Sequence, residues 1–167
     1  PMNDDLIEAV DPREEYVARK FGARGKGVNE RVTMVGRQVG IPFAYEKMKI
    51  QPNTLNAHRL LCYAERAGKQ DELAEELFRA HFMEGANLTE RETLAGIAAR
   101  AGLDRKAAAD YLAGDTDRDQ IARAEVEARS AGIGGVPHFI FNRKVGVSGA
   151  QDPEALLDAM EQALSEG

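Results

Sequence analysis

One cysteine and no tryptophan stand among the 167 residues, so the chain can close no internal disulfide and holds no Cys-x-x-Cys pair anywhere. Grouped Cys and His ligands are missing as well, so no metal site is expected and no cofactor is implied. Base is outweighed by acid, 22 Lys and Arg against 28 Asp and Glu for a formal charge of -6, and the cationic footprint that a phosphate backbone demands is lacking. Nucleic acid is therefore not an expected partner, and the densest basic run, Arg19-Lys20 to Arg24 and Lys26, reads as a solvated Gly-rich connection. No apolar run approaches the roughly 20 residues of a membrane helix. Pro1-Met2-Asn3-Asp4-Asp5 has none of the charged and apolar regions of a secretory signal, so no membrane contact and a cytoplasmic location are expected. Gly22, Gly25 and Gly27 follow no strand-like run and lack a Lys-Ser/Thr ending, which excludes both Gly-rich nucleotide fingerprints.

What is present is mostly helix. The length suits one compact unit, or a core plus a substantial insert. Asp11-Pro12 reads as an N-cap with proline at the first helical position, opening a helix to about Phe21. A second helix is predicted from Val28 to Val39, closed by Gly40, with Ile41-Pro42-Phe43 leaving in extended form. Pro52-Asn53-Thr54 caps a helix to about Ala67, and Leu73, Leu77 and Ala80 repeat at helical spacing between Gln70 and Phe82. Thr89-Glu90-Arg91-Glu92 matches a capping box for a helix ending at Gly102, and Asp104 caps a shorter one to about Leu112. A polar helix from Thr116 to Ser130 follows.

Only then do strands arrive. Gly134-Gly135-Val136-Pro137-His138-Phe139-Ile140-Phe141, followed by Lys144-Val145-Gly146-Val147-Ser148-Gly149-Ala150-Gln151 and Asp152-Pro153, reads as loop, strand, tight turn, strand and closing helix. Proline donates no ladder hydrogen bond and is tolerated at a strand's first position, where a cis peptide often sits beside a binding site. Strands over Phe139–Phe141 and Val145–Val147 are apolar on nearly both faces, which suits a buried sheet, yet a lone hairpin is marginal in water. Apart from a short possibility at Met48–Ile50, no other strand is evident, so the other half of the sheet is expected outside this chain.

The succession Pro52-Asn53-Thr54 with Ala57-His58-Arg59-Leu60, Leu77-Phe78-Arg79-Ala80 with Phe82, Gly102-Leu103-Asp104, Gly134-Val136-Pro137-Phe139 and Val147-Ser148-Gly149-Ala150-Gln151 resembles the DsbA-like thioredoxin-fold oxidoreductases of the FrnE type. The likeness runs almost end to end, and it rests on the order and spacing of these motifs. It implies an α/β, thioredoxin-like fold with an inserted helical domain, from which the first strand-helix-strand is missing. A lead-in segment would cover residues 1–10, the all-helical insert and its connecting helix 11–130, and the C-terminal strand-strand-helix 131–167. In the family a Cys-x-x-Cys opens the first helix; here roughly the first quarter of the pattern lies before Pro1. Pro1 fits loss of an initiator methionine and fits a truncated or cleaved chain equally.

The resemblance also implies a role for the Pro137 loop. The Val136-Pro137 bond would be cis, with the backbone of Val136 facing the redox pair and pairing with a substrate strand, so Gly135, Val136 and Pro137 are candidate substrate-binding residues. His58 and Asn53, near the start of a helix that lies toward the cleft in similar proteins, and Gln151, at the N-terminal end of the closing helix, are added to them. Each also has an ordinary reading as a cap or a packed polar residue. Cys62 lies mid-helix one turn after His58, which allows a Cys-His couple, but cysteine is commonly just buried and the packing reading is preferred. No residue is assigned a catalytic role, and His81 and His138 are assigned none at all. The partner implied is a protein or small molecule bearing a thiol or disulfide. Two other readings stay open: a glutathione-using isomerase or transferase, and a non-catalytic module that self-associates through an exposed strand edge.

Overall fold

The computed structural model describes residues 11–22 and 25–165, and the lead-in segment 1–10 lies outside the described residues. The chain divides into two units, Pro1–Ile121 and Ala122–Gly167, with the division falling inside a helix.

The first unit is helical around one apolar core. Its helices are α1 (Arg13–Phe21), α2 (Gly25–Gln38), α3 (Leu55–Arg66), α4 (Gln70–Arg79), α5 (Arg91–Arg100), α6 (Arg105–Ala113) and the start of α7 (Arg118–Ser130). Leu73, Leu77 and Ala80 from the α4 stripe meet Leu60 and Ala64 of α3, Leu94, Ile97 and Ala98 of α5, and Ala108 and Leu112 of α6. Leu60, Leu73, Leu94 and Leu112 are fully enclosed. Each contributes about 2 kcal/mol of burial energy, so the three- and four-residue spacing seen in the sequence is what assembles this unit.

Several element starts differ from the sequence reading. Asp11–Pro12 form a two-residue strand, β1, antiparallel to β2 (Ile50–Gln51), and α1 begins only at Arg13 with Pro12 at its cap position. Residues 11–130 are thus not wholly helical. The reason lies far along the chain: the Arg13 N–H donates to the Lys49 carbonyl and its guanidinium to Gln51 Oε1 at 2.9 Å, so a long-range pairing overrides the local Asp-Pro signal. The capping box is displaced too. Asn87 Oδ1 takes both the Thr89 N–H and the Thr89 hydroxyl, and α5 starts two residues later with Glu90 at the cap. Asp104 does cap α6, accepting the Ala107 N–H at 2.7 Å. Beyond Arg79, α4 widens into a π-type turn over Ala80–Glu84 that stops at left-handed Gly85, φ 74°. A Cβ on Gly85 would stand 2.6 Å from the Lys47 carbonyl oxygen, so the close approach of these two segments requires glycine.

Arg59 is the conspicuous buried charge, only 2% exposed. Its guanidinium donates to the carbonyls of Tyr111, Gly114 and Thr116 and to Asn56 Oδ1, joining α3 to the turn between α6 and α7. Burying a cation is tolerable only with its donors satisfied, and carbonyl oxygens supply that here.

The second unit is smaller. Strands β3 (His138–Phe141) and β4 (Val145–Ser148) pair antiparallel, and α8 (Pro153–Ser165) packs on the hairpin. A three-residue loop joins the strands, with Asn142 and Arg143 at positive φ, and Asn142 Nδ2 donates to the Ala163 carbonyl to hold helix and hairpin together. Phe139 and Phe141 stack on one face opposite Val147 and Val145, while Ile140 on the other face is 55% exposed. Among the described residues no third strand pairs with this hairpin.

Candidate functional site

In the second unit the loop before β3 and the turn after β4 meet at the open end of the hairpin. The peptide joining Val136 to Pro137 is cis, and Val136 is 91% exposed. Two residues from the end of β4, Ser148 and Gly149, reach back to this loop, and Gln151 braces Ser148. The Gly149 N–H donates to the Pro137 carbonyl at 2.8 Å, with Gly149 itself at φ 85°. His138 Nδ1 lies 2.8 Å from Ser148 Oγ, as their direct pairing in the register requires. Gln151 Nε2 donates to the Ser148 carbonyl at 3.0 Å. A strand mouth that is both pinned and uncovered results, and it presents backbone rather than reactive side chains.

Of the residues nominated from the sequence, Gly135, Val136, Pro137 and Gln151 are brought to this end of the hairpin, all exposed. Gln151 spends one amide N–H on the Ser148 carbonyl, so it acts as part of the turn. Asn53 and His58 belong to the first unit. Asn53 Oδ1 accepts the Leu55 N–H at 2.8 Å and so serves to start α3, whereas His58 is exposed on that helix rather than packed. The sequence reading gave His138 no role, although the hairpin register alone pairs it with Ser148 beside Pro137.

Cys62 does not have the surroundings of a reactive thiol. Partial burial, followed by the nearby carboxylates of Asp117 and Glu65, pushes its pKa above the usual thiol value, with Arg66 opposing weakly. A thiolate nucleophile needs the reverse, cationic neighbours and exposure. Among the described residues no cluster of His, Cys, Asp and Glu is fit to hold a metal, and no helix is long and apolar enough to cross a membrane.

The chain as a whole is similar to known proteins. A crystal structure of a probable DsbA oxidoreductase from Streptomyces coelicolor superposes with a TM-score of 0.84 at 27% sequence identity, covering 95% of this chain and 70% of that one. No curated protein shows significant similarity. A family model described as a DSBA-like thioredoxin domain matches residues 2–161, and with the superposition it shows a thioredoxin-like fold with a helical insertion. Matched by that model over nearly its whole length, this chain belongs to the DSBA-like thioredoxin domain family.

Proposed function

We propose that this chain supplies the substrate-binding half of a FrnE-type thiol-disulfide oxidoreductase or isomerase, with the reactive dithiol contributed from outside these 167 residues. Exchange requires a thiolate to attack a disulfide sulfur, expelling the other sulfur as thiolate, and a second thiol to resolve the mixed disulfide. A single cysteine whose pKa is raised does neither. The exposure of Val136 at the mouth of β3 carries the reading: an apolar residue 91% open, beside strand backbone that is unpaired among the described residues, suits the docking of an extended substrate segment bearing a thiol or disulfide. Gly135 and Pro137 flank that docking position, and Gln151 supports it through the turn.

The test is insulin reduction with an added small thiol. The purified chain gives no turnover above background, and turnover appears when a strand-helix-strand segment carrying Cys-x-x-Cys is fused ahead of it. Turnover by the 167 residues alone refutes the assignment.

A second reading is favoured by one observation. The outer edge of β3 is unpaired among the described residues and Ile140 stands exposed on it, so the hairpin also suits strand addition between copies of the chain.

A further inference from the structure

We infer that His138 and Ser148 are positioning residues that fix the backbone on which substrate docks, an inference that rests on the functional reading above. Two hydrogen bonds run from Ser148 and Gly149, at the end of β4, onto two consecutive residues at the strand mouth, and a third braces Ser148 itself. Ser148 holds the His138 ring through its hydroxyl, Gly149 holds the Pro137 carbonyl through its N–H, and Gln151 holds the Ser148 carbonyl from the far side. Ser148 is the hinge of this set, since it is tied through both side chain and main chain.

The ring is seated as well as bonded. A Cβ on Gly146 would lie 3.5 Å from His138 Nε2, so β4 offers the imidazole a side-chain-free floor two residues before Ser148. With the Pro137 carbonyl turned into the hairpin and His138 anchored across it, the residue immediately before them has its backbone placed by the pair without touching it. Val136 makes the contact with substrate; His138 and Ser148 determine where Val136 is.

A cross-strand pair that merely stabilised the hairpin would predict something else: weaker melting with unchanged docking. The two are separated by variants of the full chain. His138→Phe and Ser148→Ala remove the bond, whereas His138→Asn and Ser148→Thr keep a polar atom at the Nδ1 position and a hydroxyl. The probe is the insulin B chain with its cysteines S-methylated, titrated by calorimetry, with the backbone amide spectrum followed in parallel.

Removal variants bind about fivefold more weakly, the equivalent of one hydrogen bond's net worth. The retaining variants stay within about twofold of the parent chain. The amide signals of Gly135, Val136 and His138 move in the removal variants while those of Asn142 and Arg143 in the distal loop stay put. Parental affinity in both removal variants, or equal loss in the retaining ones, overturns the assignment. If the unaltered chain does not bind the B chain, the functional reading falls instead. Unmoved amides at 135–138 would then refute the positioning role on their own.

Discussion

The Tyr111 hydroxyl donates to Asp117 Oδ2 at 2.6 Å, and the same carboxylate oxygen takes the Arg66 guanidinium, so one anion ties the end of α3 to the approach of α7. Asp117 sits at positive φ, 63°, directly before α7 begins. Its carboxyl is held below the usual aspartate range by the Tyr111 hydrogen bond first and the Arg66 hydrogen bond second.

Tyr111 should therefore be the last phenol to ionise. Burial, then its bond to the Asp117 carboxylate, pushes its pKa from 10.0 up to about 12. The fold favours the neutral phenol, so this contribution to stability is complete below the unfolded value of 10.0 and is lost as pH rises towards about 12. Spectrophotometric titration shows a tyrosine ionising near that upper value, and Tyr111→Phe removes that step. Ionisation of every phenol near 10 would contradict the linkage.

How much of this was legible in the sequence depends on the range of the forces involved. Leu73, Leu77 and Ala80 announce α4 because helix periodicity is local, and Asp104 announces α6 because a cap acts across three residues. Asp11-Pro12 misleads because its fate is settled by Lys49 and Gln51, some forty positions away, to which Arg13 is bonded. Arg59 carries no local mark of burial in the sequence, since the carbonyls that enclose it come from a distant turn. At the site the same division holds. The Val136-Pro137 loop could be marked from its residue types, but the tie of Ser148 to His138 follows only from the hairpin register, and Asn53 proves to be occupied with starting α3.

His81 gives the first unit a sensitivity to mild acid. It is buried, its Nδ1 has no partner among the described residues, and its ring packs edge-on to Phe82 with a centroid separation of 4.8 Å. Burial lowers its pKa below 6.5 against an opposing backbone hydrogen bond at Ala86, and the charge of Arg13 adds to the lowering. Because the unfolded chain takes up the proton first, stability falls as pH drops below 6.5 towards the lower folded value. Urea midpoints measured across that range fall for the parent chain and flatten for His81→Phe. An equal slope in both would assign the acid sensitivity elsewhere.

Cys62 should alkylate sluggishly and be dispensable. With burial, Asp117 and Glu65 all disfavouring the thiolate, the pH at which iodoacetamide labelling reaches half its maximal rate lies above 9.0. Cys62→Ser leaves insulin reduction by the fused, dithiol-bearing protein unchanged. A labelling midpoint near neutrality, or loss of turnover in that variant, would restore Cys62 as a redox participant.

The uncovered hairpin makes the last prediction. Ile140 is 55% exposed on β3, and Leu157, Met160 and Leu164 along α8 are exposed too, so the second unit shows apolar surface from strand and helix alike. Unpaired strand backbone beside such surface recruits another chain, and natural edges are blunted by a lysine that would have to be buried on pairing. Light scattering should find the 167-residue chain self-associated, and Ile140→Lys should shift it towards monomer while leaving the melting of the first unit intact, since Ile140 is no part of that unit's core. The fused protein tests the same surface from the other direction: once a strand from the added segment pairs with β3, the edge is occupied and the Lys substitution loses its effect on association. Monomeric parent chain, or association that ignores the substitution, would mean that the edge is not what brings copies together.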